Sequence, residues 1–173
     1  MDLSDRIERT RHFGAEFLTW LLYKSTAGEG AVETSDGPVE VWFEDKVKMV
    51  SPLVAKEVDL FKGKTPAHSH EALEALRRGK VVEEAVLVVS RGTDREWKLT
   101  FNGPKFALGS VHLPALLKEE ADDRVIERFW LLEQLHKLLE DLYTAFLEIH
   151  LDSQRWGKEL NGIRSWLAAE AQA

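Results

Sequence analysis

Two runs decide the fold class: Ala85-Val86-Leu87-Val88-Val89 and, after Gly92-Thr93-Asp94, Glu96-Trp97-Lys98-Leu99-Thr100-Phe101. The first is β-branched and nearly unbroken, the pattern of a central strand. The second alternates apolar and polar at every step, the pattern of a strand with one wet face. A Gly-Thr-Asp turn between them makes the pair an antiparallel hairpin. Downstream, Asn102-Gly103-Pro104 turns again, and Phe106 to Leu113 reads as a further strand stopped by Pro114. Upstream, Val81-Val82 leads into the central run.

Further upstream lie Val39-Glu40-Val41-Trp42-Phe43 and Lys46-Val47-Lys48-Met49-Val50, two strands with Glu44-Asp45 as a tight turn. Lys56 to Phe61 reads as a third, ended by Gly63 and Pro66. Between these strands and the central run, His68 to Arg78 has the spacing of a short helix, with Ala72, Leu73, Ala75 and Leu76 on its inner face. Gly79 stands at its C-cap, and Arg77 and Arg78 suit the negative end of the helix dipole. Laid across the hairpin, this helix is expected to bury Trp97, Phe101, Val86, Val88 and Leu73 together.

The ends of the chain are helical. Residues 3–24 carry Leu3, Ile7, Phe13, Phe17, Leu18, Leu21 and Leu22 at three- and four-residue steps, with Ser4 or Asp2 as a cap. Residues 25–38 are rich in turn formers. From Asp122 a long helix begins, with Val125, Phe129, Leu132, Leu135, Leu139, Leu142, Phe146 and Ile149 in one stripe. Ile126, Trp130, Leu131, Leu138 and Tyr143 widen that stripe beyond half the circumference. Such a helix lies between two layers or meets another chain, and Ile126, Trp130, Leu138 and Tyr143 are the expected oligomer contacts. Gly157 and Gly162 predict a kink or break before a last segment with Ile163, Trp166 and Leu167. The whole is a single α+β domain over 1–173, with helices at 1–24 and 122–170 around a sheet and short helix at 39–114.

Composition agrees with a folded domain. The 173 residues are 44% hydrophobic and 31% charged, with a net charge of −7. The absence of cysteine excludes disulfides, thiolate zinc sites and a cysteine nucleophile. The charged start Met1-Asp2-Leu3-Ser4-Asp5-Arg6 lacks a signal-peptide core, and no apolar run spans a bilayer, so a soluble, cytoplasmic protein is expected.

Little in the chain points to catalysis. His68 and His70 are two apart at a helix start, where side chains diverge and do not share a metal. His136 and His150 sit about four turns apart on the long helix and read as packed or interface residues. The acidic pairs Glu83-Glu84, Glu119-Glu120, Asp122-Asp123 and Glu140-Asp141 fall at element ends or on polar faces. Gly28 and Gly30 fit neither a P-loop nor a dinucleotide fingerprint. The expectation is a non-enzyme without metal or cofactor. The basic groups Lys56, Lys62/Lys64 and Arg77/Arg78/Lys80 flank the short helix and the strand before it, and could form one cationic surface.

The run Glu71-Ala72-Leu73-Glu74-Ala75-Leu76-Arg77-Arg78-Gly79-Lys80-Val81-Val82, leading into 85–89 and 97–101, resembles the C-terminal half of the recombination-associated RdgC family. Gly14-Ala15-Glu16-Phe17-Leu18-Thr19-Trp20-Leu21 is similar to a helix of its longer members. The resemblance spans about residues 12–150. It implies a non-enzymatic protein that binds duplex DNA without sequence preference, in recombination control or chromosome maintenance. Family members form ring-shaped dimers around DNA and restrain RecA-driven recombination. On this basis Lys56 matches a basic position facing the ring lumen, Lys80 matches the Gly-Lys-Val-Val motif, and Arg77 and Arg78 match a basic-leaning position. Lys62 and Lys64 join them as expected duplex contacts, and a nucleoid location follows. The expected partners are duplex DNA, a second copy of the chain or a separate subunit. The competing expectation is a protein–protein interaction module that uses the apolar C-terminal helix without DNA.

Overall fold

The computed structural model describes residues 3–27, 30–54, 57–92 and 95–170. It is an α+β fold on one antiparallel sheet. In chain order the elements are α1 (Leu3–Ala27), β1 (Ala31–Val32), β2 (Val39–Val50), β3 (Val58–Gly63), a 3-10 turn (Pro66–His68), α2 (His70–Arg77), β4 (Val81–Ser90), β5 (Glu96–Asn102), β6 (Ala107–His112), α3 (Ala121–His150) and α4 (Ser153–Glu170). Strands run in the order β1-β2-β4-β5-β6, and β3 extends the edge of β2 beyond β1. Asp2, proposed as a cap, the turn residues Thr93 and Asp94, and Lys56 lie outside the described residues.

The hairpin forms as expected, with Ala85 opposite Phe101, Leu87 opposite Leu99 and Val89 opposite Trp97. Residues directly opposite share a face, and all six are buried. That register corrects the expected core. Val86 and Val88 pair with Thr100 and Lys98, on the other face of the sheet. The 3-10 turn packs on the sheet, and α2 follows it. The hairpin core is covered instead by α1 and α3. Phe17, Leu18, Trp20, Leu21 and Leu22 of α1 are buried there. The Trp97 indole N–H donates to the Leu131 carbonyl of α3 at 3.0 Å.

Two breaks fall elsewhere than expected. Residues 39–50 form one strand, and Glu44-Asp45 is a bulge rather than a turn. Asp45 takes φ 51°; Asp45 and Lys46 stay paired to β3 but stand between the β4 pairs at Glu44 and Val47, so the two extra residues bend the strand without ending it. At the other end, the long helix stops at His150, and Gly157 and Gly162 sit inside α4. The Asp152 carboxylate accepts the N–H groups of Gln154 and Arg155 at 2.9 and 3.1 Å. This N-terminal cap starts α4 five residues before the first glycine.

Gly14 and Gly103 bring α1 against the β5–β6 turn. A methyl group on either would overlap the other's backbone carbonyl. Around this contact Phe17, Phe101, Phe106 and Tyr143 meet edge-on, with Phe17 and Tyr143 centroids 5.3 Å apart. The far face of the sheet is solvated and ionic: Lys46 pairs with Glu84, Lys48 with Glu83, and Lys98 with Glu44 and Asp45. No helix among the described residues is long and apolar enough to cross a membrane.

Candidate protein interface

From Ala121 to Trp130 the helix α3 is exposed all round, Glu127 alone being half-buried. Its buried stripe, Leu131, Leu135, Leu138, Leu142 and Phe146, begins where the Trp97 indole meets it. Before Leu131 the helix extends past the sheet. Ile126 and Phe129 are 67% and 69% exposed, Trp130 is 44% exposed, and Val125 and Leu132 are similarly open. At 100° per residue Ile126, Phe129 and Trp130 lie on the side away from the buried stripe, with Val125 and Leu132 on its flank. Single exposed apolar residues are ordinary, but three on the side away from the core, flanked by two more, mark an interaction surface.

The start of this helix is built to hold its shape. Asp122 and Asp123 occupy the first turn, where the helix dipole favours negative charge. The Glu127 carboxylate accepts the N–H groups of both Leu117 and Lys118, at 3.0 Å. These two bonds hold its pKa below the ordinary value, and they fold the preceding loop back onto the helix with Leu117 exposed beside the patch. The Arg95 guanidinium lies 5.0 Å from the Trp130 ring centre, a cation–π contact that orients the indole.

Of the expected oligomer contacts, Ile126 and Trp130 are on this surface. Leu138 is not: it is 4% exposed and belongs to the chain's own core. Tyr143 is half-buried against Phe13, Phe17 and Phe106. The difference comes from the sheet edge. Positions near 140 pack on α1 and α4, whereas the turns before Leu131 clear the fold and Leu132 stays open at their margin. Phe129, Val125 and Leu132, read from sequence as one stripe with Leu135 and Leu142, turn outward. A heptad count that separated 131-135-138-142 from 122-126-129-133-136 carries the signal for that division.

The basic groups are split between the two sides of the sheet. Lys62 is exposed opposite Lys46, on the ionic face, and Lys64 is exposed just beyond the strand. Lys80 is on the helix side and only 7% exposed. Its position follows from the helix end: Gly79, at φ 84°, donates to the Leu76 carbonyl while the Lys80 N–H donates to that of Ala75. This is a Schellman close. It turns Lys80 inward, where its ammonium meets Asp59 at 2.6 Å and Glu57 at 2.9 Å. Asp59 first, and Glu57 with it, raise the Lys80 pKa. Lys80 therefore does not offer its charge to a phosphate. Arg77 donates from Nε to the Leu167 carbonyl at 3.0 Å and from Nη1 to Glu74 at 3.3 Å. Arg78 is exposed and shares Glu74.

Among the described residues, no three His, Asp or Glu side chains converge as a metal site. His136 is exposed on the outward face of α3. His150 is packed against Phe13 and Trp156 and hydrogen-bonded to Glu16 at 2.9 Å. Neither the family models nor the curated proteins give a match to this chain.

Proposed function

We propose that this chain is a non-catalytic protein–protein interaction module whose working surface is the outward face of α3, and that the partner is a second copy. The observation that carries the reading is the exposure of Ile126, Phe129 and Trp130 on three turns that clear the sheet. Self-pairing is favoured by the pattern of that face. Asp122, Ile126, Phe129, Glu133 and His136 follow one another at four- and three-residue steps, the repeat of a helix–helix seam. An antiparallel pair about Phe129 brings Ile126 to the partner's Leu132, Phe129 to the partner's Phe129, and Asp122 to the partner's His136. Ile126 and Phe129 then meet apolar groups, Glu133 stands beside the partner's Val125, and an acid meets a histidine at each end, a self-complementary pattern of the kind a two-fold interface requires.

Sedimentation of wild type and Phe129→Glu at micromolar concentration tests this. Wild type sediments as a dimer, and the variant as a folded monomer, because a two-fold contact would bury two like charges against each other. A monomeric wild type, or a dimer indifferent to the substitution, contradicts it. Duplex binding draws on Lys62, Lys64 and Arg78. Retention on random-sequence duplex that falls steeply with salt, and that survives Phe129→Glu, would favour DNA over the module.

A further inference from the structure

We propose that the pocket enclosed by α1, the β5–β6 hairpin and α3 binds a small organic cation with a methylated ammonium head, its methyl groups against aromatic rings and its charge at Glu140. The pocket has a volume of about 280 Å³, room for a head group rather than for a drug-sized ligand. Four rings form its walls: Phe17 of α1, Phe101 of β5, Phe106 of the β5–β6 turn and Tyr143 of α3. Phe17 and Phe106 are nearly parallel, at 14°, with centroids 6.5 Å apart. Phe101 and Tyr143 stand across both, at 70–90°. Two parallel walls crossed by two perpendicular ones make a box. Ring faces carry negative potential, so such a box attracts a cation.

Phe106 is held in this box against its backbone preference. It takes φ 47°, the left-handed region that bulky side chains rarely enter. Its N–H donates to the Gly103 carbonyl at 3.0 Å, which closes the turn. Glycine would adopt that conformation without strain. The ring placed at this cost is still 38% exposed, so burial alone does not account for it. Backbone strain of this kind gathers at ligand sites.

The charge of the lining is one-sided. Leu108 and Leu139 are apolar, and besides the Tyr143 hydroxyl the polar side chains are His136 and Glu140. Burial raises the Tyr143 pKa, so the phenol stays neutral. Among the described residues no Lys or Arg lines the pocket. Lys137 is held by Asp36 at 2.6 Å, and Lys105, next to Phe106, is exposed outside the lining. Glu140 is exposed and has no ion pair or hydrogen bond among the described residues. One unpaired carboxylate beside aromatic walls selects a cation and repels an acid. A primary ammonium brings three N–H donors that apolar walls leave unsatisfied, whereas a quaternary one brings none. The site does not rest on the pairing of α3, which is carried by Ile126, Phe129 and Trp130.

The test titrates the full chain with choline chloride at about pH 8, where histidine side chains are neutral, against sodium chloride at the same concentration. Dimethylbutanol, the neutral carbon isostere of choline, isolates the charge. Phosphocholine separates a free cation from a lipid head group. The ring resonances of Phe106 and Tyr143 report occupancy by NMR. Choline is expected to shift both saturably, and the isostere and phosphocholine to bind more weakly. Glu140→Gln, on an exposed side chain, is expected to weaken choline roughly tenfold, the scale of one charge-assisted contact. Phe106→Leu, which keeps apolar bulk but loses the ring face, is expected to weaken it roughly fivefold, the scale of one exposed cation–π contact. No saturable shift in wild type, an isostere that binds as tightly as choline, phosphocholine that binds more tightly, or an affinity unchanged in Glu140→Gln would overturn the proposal.

Discussion

At the scale of single residues, Trp97 ties the hairpin to α3. It is buried on β5, opposite Val89, and its indole N–H is the bond that meets α3 at Leu131. Trp97→Ala should cost about 3–5 kcal/mol, as for a large core aromatic, read from denaturant unfolding. Trp97→Phe keeps most of the apolar contact and isolates the indole bond, so its cost should be clearly smaller. A second residue-scale expectation concerns pH. The Lys46 ammonium first, and the Asn102 amide with it, hold the Glu84 pKa below its ordinary 4.5, and Glu127 is lowered by two backbone N–H groups. Groups lowered on folding give stability that is present above the unfolded pKa and lost as pH falls through the folded one. The Tm should drop as pH is taken below 4.5, and Glu84→Gln should make that drop shallower. For Lys80 the sign reverses: its pKa is raised from 10.5, so its contribution is complete at neutral pH and is lost only as pH rises above that value.

At the scale of elements, the hairpin and the helical ends were legible because period two and period three to four are written directly into 85–101, 13–22 and 131–146, whereas the unbroken 85–89 run hid which of its residues share a face with Trp97 and Phe101. What was not legible had a tertiary cause. The Glu44-Asp45 pair has turn chemistry, yet pairing on both edges of β2 holds the strand through it as a bulge. Lys80 follows a glycine C-cap and reads as an exposed cation, but the carboxylates that bury it come from β3. The apolar α3 was evident; which half of it would be uncovered depended on where the sheet ends. Gly14 belongs at this scale too, since its lack of a side chain allows α1 to touch the β5–β6 turn. Gly14→Ala should raise helix propensity and still destabilise the protein, by roughly 1–3 kcal/mol, because the methyl overlaps backbone that has no rotamer to move. Gly157→Ala, with open space around the new methyl, should instead be neutral or stabilising in the same thermal melt.

At the scale of the whole molecule, the two faces of the sheet divide the labour. One is ionic and open. The other carries the described helices and extends into three turns of α3 that the described residues leave uncovered. Half-exposed ion pairs such as those of Lys46 and Lys98, still screened by water, contribute only about 0–1 kcal/mol each, so stability rests on the helical side, as does the proposed partner surface. The complete lack of cysteine allows a direct measurement of the proposed two-fold axis. Phe129→Cys introduces the chain's single thiol at the point where the two helices should cross. Under mild oxidation this variant is predicted to form a disulfide-linked dimer rapidly and nearly completely, while a thiol at exposed Lys64 forms one slowly, by collision. Equal, slow cross-linking at both positions would contradict pairing through α3.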